Sequence, residues 1–220
     1  MSIDLEQQLR AFIAALRTGN EAAARAVVEQ LRSQGVAPST IYYEVFAPGM
    51  ITVGDLWEAN ELSVADEHLA TEITHRLIGL LSPSFNQPPS TGERGSVVLG
   101  CVEGERHVLG LRMLADLFRE QGWRVLFLGA DVPQADWIRL ALRVNADLIA
   151  ISASAERLLP QVEALIGELR AALPQTAITV GGAVFGRNPE LWRQVGATLY
   201  HPNPQMVVML ASAQRVVNTS

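Results

Sequence analysis

Apolar residues recur at helical spacing through the first third of the chain. Leu5, Leu9, Phe12, Ile13 and Leu16 share one face, and Ala23, Ala24, Val27, Val28 and Leu31 repeat the pattern beyond Thr18-Gly19-Asn20. A third helix is predicted from Ser39 through Ile41, Tyr42, Val45 and Phe46. Pro48-Gly49 should break or kink it before it resumes through Ile51, Val53, Leu56 and Trp57 and stops at Asn60. Ser63, followed by Asp66, is a good N-cap for a fourth helix whose apolar stripe is Leu69, Ile73, Leu77 and Leu80. Residues 1–83 therefore read as a four-helix bundle.

The period then changes. Between Ser82 and Gly95 no apolar repeat survives and three prolines fall among Ser, Thr, Asn and Gly, so residues 84–95 are expected to be a linker. Beyond it, short apolar runs alternate with amphipathic helices: Val97 to Val102, a helix from about His107 to Gln121, then Arg124 to Leu128, Leu148 to Ser152, Ala177 to Val180 and Thr198 to Tyr200. Continuous apolar strands separated by helices predict a parallel sheet covered on both faces. Five such strands suit a flavodoxin-like, Rossmann-like α/β domain over residues 96–220, so the predicted class is a helical bundle followed by α/β. Ligands of such sheets lie beyond the carboxyl ends of the strands. There the chain reads Glu103-Gly104-Glu105-Arg106-His107-Val108-Leu109-Gly110, then Ser152-Ala153-Ser154, then Gly181-Gly182-Ala183-Val184-Phe185-Gly186.

Composition removes several functions. All the basic residues are arginine, so a Walker-type phosphate loop, a PLP Schiff base and a receiver-type phosphorylation site are excluded for want of a lysine. A net charge of −6, with acids spread along the chain, argues against direct nucleic-acid binding. No apolar run has the length of a membrane span, and Asp4 and Glu6 stand where a signal peptide would be basic, so a cytoplasmic protein is expected. The single cysteine, Cys101, fits a reducing compartment and reads as a small core residue. No Ser-His-Asp or Cys-His arrangement can be assigned, and the chain is not expected to be an enzyme alone.

The chemistry converges on one imidazole. Glu105, two residues before His107, can accept from one ring nitrogen, fix the tautomer and raise the basicity of the other as a metal ligand. The run Glu105-x-His107-x-x-Gly110, with Ser152 and Ser154 after the third strand and Gly181-Gly182 after the fourth, resembles the B12-binding domain family. The usual pattern there is D-x-H-x-x-G, then S-x-S/T or S-x-L, then G-G. This chain has Glu where most of the family has Asp, as the photoreceptor branch also does. The resemblance implies a base-off cobalamin between the bundle and the α/β domain, with His107 as lower axial cobalt ligand and Arg106 beside it. It also implies that the dimethylbenzimidazole tail lies beside Ser152, Ser154, Gly181 and Gly182.

The helical region narrows the resemblance. Trp57 and the pair Glu67-His68, in W-x9-E-H spacing, look like the adenosylcobalamin-dependent photoreceptors of the CarH type. In those proteins these side chains surround the upper adenosyl group, and light breaks the cobalt–carbon bond, changing association state and grip on DNA. The histidine that normally follows the tryptophan is Glu58 here, leaving His68 or a water as alternatives for the vacated position. The N-terminal helix-turn-helix of those regulators is not seen, so a protein partner such as a transcription regulator is expected, with a homo-oligomer also compatible. A corrinoid carrier of a methyltransferase system and an antirepressor-like module that binds cobalamin after loss of the adenosyl group are the competing readings. Glu72 with His75, and His68 with both, are weaker metal patterns on the fourth helix; His201 reads as structural.

Overall fold

The computed structural model describes residues 3–86 and 94–218. The chain divides into two compact units, Met1–Phe85 and Asn86–Ser220. The first contains α1 (Leu5–Arg17), α2 (Glu21–Ser33), α3 (Pro38–Ile41), α4 (Ala47–Glu58) and α5 (Val64–Leu81). Local chemistry sets most of their starts. Asp4 accepts from the Gln7 N–H, Asn20 from that of Ala23, and Ser63 forms a reciprocal capping box with Asp66.

The expected break at Pro48-Gly49 is absorbed differently. α3 runs into α4 through a π-helical turn, Tyr42–Phe46, in which the Ala47 N–H bonds the Tyr42 carbonyl. The wider turn just before Pro48 accommodates a residue with no N–H to give, so the rod continues. The same turn sets Tyr42 and Phe46 on one face. Phe12, Phe46, Tyr42 and Phe85 stack in series, with centroids 5.1, 5.8 and 5.1 Å apart. Phe85, expected in the linker, is thus core of the helical unit, reached through a 3-10 turn at Ser82–Phe85. The central part of that linker, residues 87–93, lies outside the described residues.

Two expected faces are shifted. On α5 the buried residues are Ala70, Ile73, Thr74, Leu77, Ile78 and Leu81, while Leu69 is 48% exposed. Leu69 instead lies over the α1–α2 turn, where a Cβ at Gly19 would come within 2.5 Å of it. On α4 only Val53 of the expected apolar set is buried; Ile51 and Trp57 are exposed.

The second unit contains β1 (Ser96–Val102), α6 (Leu109–Glu120), β2 (Arg124–Val132), α7 (Gln134–Val144), β3 (Leu148–Ser152), α8 (Leu159–Ala172), β4 (Ala177–Gly181), α9 (Ala183–Arg187), α10 (Leu191–Gln194) and α11 (Pro204–Asn218). Its parallel sheet has four strands in the order β2-β1-β3-β4, not the expected five. Thr198 to Tyr200 makes one parallel bridge, Leu199 to Thr179. Thr198 and Leu199 bond the Ile178 main chain, and Pro202 follows with no N–H to extend a ladder. β1 and β3 are buried along their whole length, as their unbroken apolar runs require. Trp137 of α7 is fully buried against β1, where a Cβ at Gly100 would lie 2.6 Å from the indole.

Removing the first ring of the aromatic series, Phe12→Ala, is expected to destabilise the helical unit by about 3–5 kcal/mol, the usual cost of such a cavity. Denaturant unfolding followed by circular dichroism reads this directly. A loss below about 1 kcal/mol would show that the rings do not form its core.

Candidate functional site

At the carboxyl edge of the sheet, Cys101 of β1, Ser152 of β3 and Gly181 of β4 are register partners. The loop after β1 turns sharply at Gly104, whose φ is +82°. It then places Glu105 inward, 1% exposed, and His107 outward, its side chain 75% exposed. One Glu105 oxygen accepts the His107 backbone N–H at 2.8 Å and lies 2.6 Å from His107 Nδ1. The other accepts the Ser154 backbone N–H at 2.5 Å, and the Ser154 hydroxyl is 3.2 Å from the same Nδ1. A single buried carboxylate therefore joins the loop after β1 to the loop after β3.

Electrostatics keep that group charged. Burial alone would push the Glu105 carboxyl up, but the hydrogen bonds from His107 and Ser154 outweigh it and hold the value at about 2. An ionised carboxylate can only accept, so Nδ1 carries the proton facing it, and in the neutral imidazole this leaves the lone pair on Nε2. Cys101 is driven the other way. Its burial and the Glu105 charge push the thiol up to about 12, which leaves it a protonated core residue whose sulfur sits 3.7 Å from the His107 carbonyl.

The remaining expected residues separate into distinct groups. Arg106 is exposed beside His107, and Gly110, in the first turn of α6, has nothing within 4 Å of an added Cβ. Gly181 likewise faces open space. Gly182 does not: at φ +98° a Cβ would lie 2.1 Å from the Ala153 carbonyl oxygen, so glycine there is needed by the backbone that holds Ser154. The segment after Gly182, expected as loop, is the short helix α9. Trp57 lies in the last turn of α4, and Glu67 and His68 lie in the first turns of α5. Trp57 is 43% exposed, and His68 Nδ1 lies 2.6 Å from a Glu67 oxygen whose neighbour accepts from Thr71.

One oriented imidazole offers a single coordination position. It suits a metal that arrives with its equatorial ligands already in a macrocycle, as cobalt does in a corrin. Among the described residues no group of three or more His, Cys, Asp or Glu could hold a bare ion, so the pairings around His75 do not assemble one. His201 Nδ1 accepts the Asn203 N–H in a turn. Sequence reasoning missed Asp131 at the end of β2, whose carboxylate accepts the Gly104 N–H at 2.7 Å; it is placed by strand irregularities that leave no periodic signal.

In the cofactor-free protein, a Glu105 carboxyl held below its ordinary 4.5 contributes stability that is complete above that value and is lost as pH falls towards about 2. The stability gap between the native protein and Glu105→Gln, taken from urea midpoints, is expected to narrow across that window. A gap that stays constant there would contradict the assignment.

A family model described as a B12 binding domain matches residues 95–204, and a second so described matches residues 8–82. The HTH-type transcriptional repressor CarH of Myxococcus xanthus is 36% identical over 66% of this chain, which spans about half (48%) of that repressor. Dimethylamine corrinoid protein 1 of Methanosarcina acetivorans is 27% identical over 94% of this chain and 96% of its own length. Among solved structures, the Methanosarcina barkeri monomethylamine corrinoid protein shares the fold with a TM-score of 0.85 at 19% identity, covering 96% of this chain and all of that one. No helix among the described residues is long and apolar enough to cross a membrane. With both regions matched and the histidine loop built as described, the chain belongs to the B12-binding domain family and is a cobalamin-binding protein.

Proposed function

We propose that this chain is a cytoplasmic, light-responsive regulatory protein that uses adenosylcobalamin, bound base-off with His107 as the lower cobalt ligand, and signals through a protein partner. The observation that carries the reading is the Glu105–His107 pair: a buried, ionised carboxylate holding Nδ1 of an imidazole that is otherwise exposed. Bound adenosylcobalamin supplies a cobalt–carbon bond that visible light cleaves. Glu105 keeps His107 in the ligating tautomer, and Ser154, joined to both, holds the ring's orientation. Ser152, Ser154, Gly181 and Gly182 would border the nucleotide tail, and Arg106 and Gly110 would be further contacts to the cofactor. Trp57 offers an exposed indole for stacking on an adenine, and Glu67 and His68 offer hydrogen-bonding groups to the sugar. The 36% identity to the CarH repressor supports the adenosyl form. On this reading the protein is a switch and not a catalyst.

A second reading, a corrinoid protein that carries a methyl group between methyltransferase partners, is favoured by the end-to-end coverage of the dimethylamine corrinoid protein. An antirepressor-like module, recognising cobalamin only after loss of the adenosyl group, is compatible with Glu58 beside Trp57.

The readings separate on one preparation. Protein loaded with adenosylcobalamin in the dark is expected to change both its absorption spectrum and its elution volume after green light. An unchanged spectrum and size would defeat the photoreceptor reading, and methyl transfer from the methylcobalamin-loaded protein would establish the carrier. His107→Ala is expected to abolish the histidine-ligated spectrum and weaken binding by about 10–100-fold or more; retention of that spectrum would mean the ligand is another residue.

A further inference from the structure

We propose that Asp131 is a positioning residue for the cobalt ligand, a clamp that holds the Gly104–Glu105 segment and through it fixes how firmly His107 engages the metal. The inference rests on the reading that His107 ligates cobalt. It adds a residue on a different strand.

Three observations converge on Asp131. Its carboxylate Oδ1 accepts the Gly104 N–H at 2.7 Å, and its own N–H donates to the Glu105 carbonyl at 2.8 Å. The main chain on both sides of the Glu105 side chain is thus held by one residue. Asp131 also sits in the left-handed region, at φ +53°, where a non-glycine residue is uncommon and where only short polar side chains are well tolerated. Finally, the pairing of β1 with β2 slips twice near this end. Leu99 to Gly100 on β1 is opposed by Phe127 to Gly129 on β2, and Gly100 to Val102 by Gly129 to Val132. Each slip inserts one extra residue into β2, and the second brings the stretch containing Asp131 round to face the loop. Bulges on an edge strand re-aim side chains beside functional sites without disturbing a second neighbour, and β2 is an edge of this sheet.

The chemistry of the clamp follows from the geometry. Gly104 and Asp131 both have positive φ and bond each other across the gap between the loop after β1 and the end of β2. This leaves the loop after β1 tied at two points: by Asp131 through Gly104 and the Glu105 carbonyl, and by Ser154 through the Glu105 carboxylate. Loss of the first tie would let the Glu105 backbone drift and take the imidazole out of line with an axial ligand position. Loosening the outer partners of a metal-bound histidine commonly weakens ligation by about 10–100-fold.

Substitution at this one position separates an oxygen acceptor from backbone conformation. Asp131→Asn keeps both an acceptor and tolerance of the left-handed region; Asp131→Gly keeps the conformation but removes the acceptor; Asp131→Ala lacks both. The full chain is loaded with cob(II)inamide, which has no nucleotide base of its own, and examined by electron paramagnetic resonance, where one axial protein nitrogen splits each cobalt line into a triplet. The native protein and D131N are expected to show the triplets fully, with D131G and D131A showing a ratio of ligated to unligated cobalt about ten-fold lower. D131G indistinguishable from the native protein would overturn the clamp, as would D131N matching D131G. Absence of triplets from the native protein would overturn the His107 reading and this inference with it, a result distinct from either. Exchange of the Gly104 amide hydrogen in the cofactor-free protein gives a second readout. It is expected to be about ten-fold faster in D131G at an unchanged melting temperature, and an unchanged exchange rate would again overturn the clamp.

Discussion

A carboxylate buried beside a sheet is tolerated only if its charge is met, and in this protein the groups that meet Glu105 are the parts of the site. Its oxygens take two backbone N–H groups and one imidazole nitrogen, drawn from the loops after β1 and β3. Removing any of these donors would leave a partly unpaired buried charge, so the loops are held together by the need to keep it satisfied. The exposed ring of His107 inherits its direction from that buried network. A ligand presented to solvent is thereby given the fixed geometry of the core.

The backbone around the network is made of positions where side chains would intrude. Gly182 presses on the Ala153 carbonyl immediately before Ser154, and Gly100 lies under the Trp137 indole one residue before Cys101. Both are glycine because of close approach within the protein. Gly181 and Gly110 differ, since space lies open where their side chains would be. Two kinds of glycine thus occur within one constellation: one lets the loops pack, and the other leaves the strand ends and the first turn of α6 uncovered.

Much of this organisation was legible in the residues themselves. The start of α5 was carried by Ser63, whose capping chemistry is local, and β1 and β3 by apolar runs that only a doubly covered strand requires. The link between Glu105 and His107 needed only a two-residue separation. What escaped depended on tertiary partners. Leu69 fits the apolar period of α5 but is drawn over Gly19, Phe85 sits in a proline-rich stretch yet completes an aromatic stack, and Thr198 to Tyr200 has strand composition without the donors beyond it to continue pairing. Asp131 was hidden because its position is set by two slips of register, and periodicity carries no record of an inserted residue.

The unfinished fifth strand has a bearing on how copies of this chain can meet. β4 is the last full strand on its side, and the Ile178 main chain there is already taken by Thr198 and Leu199, with Pro202 and Pro204 following. On the opposite side β2 is bulged twice. Both borders are interrupted where the site lies, one by bulges and the other by a part-covered strand, and such interruptions work against continuing the sheet from one molecule into the next.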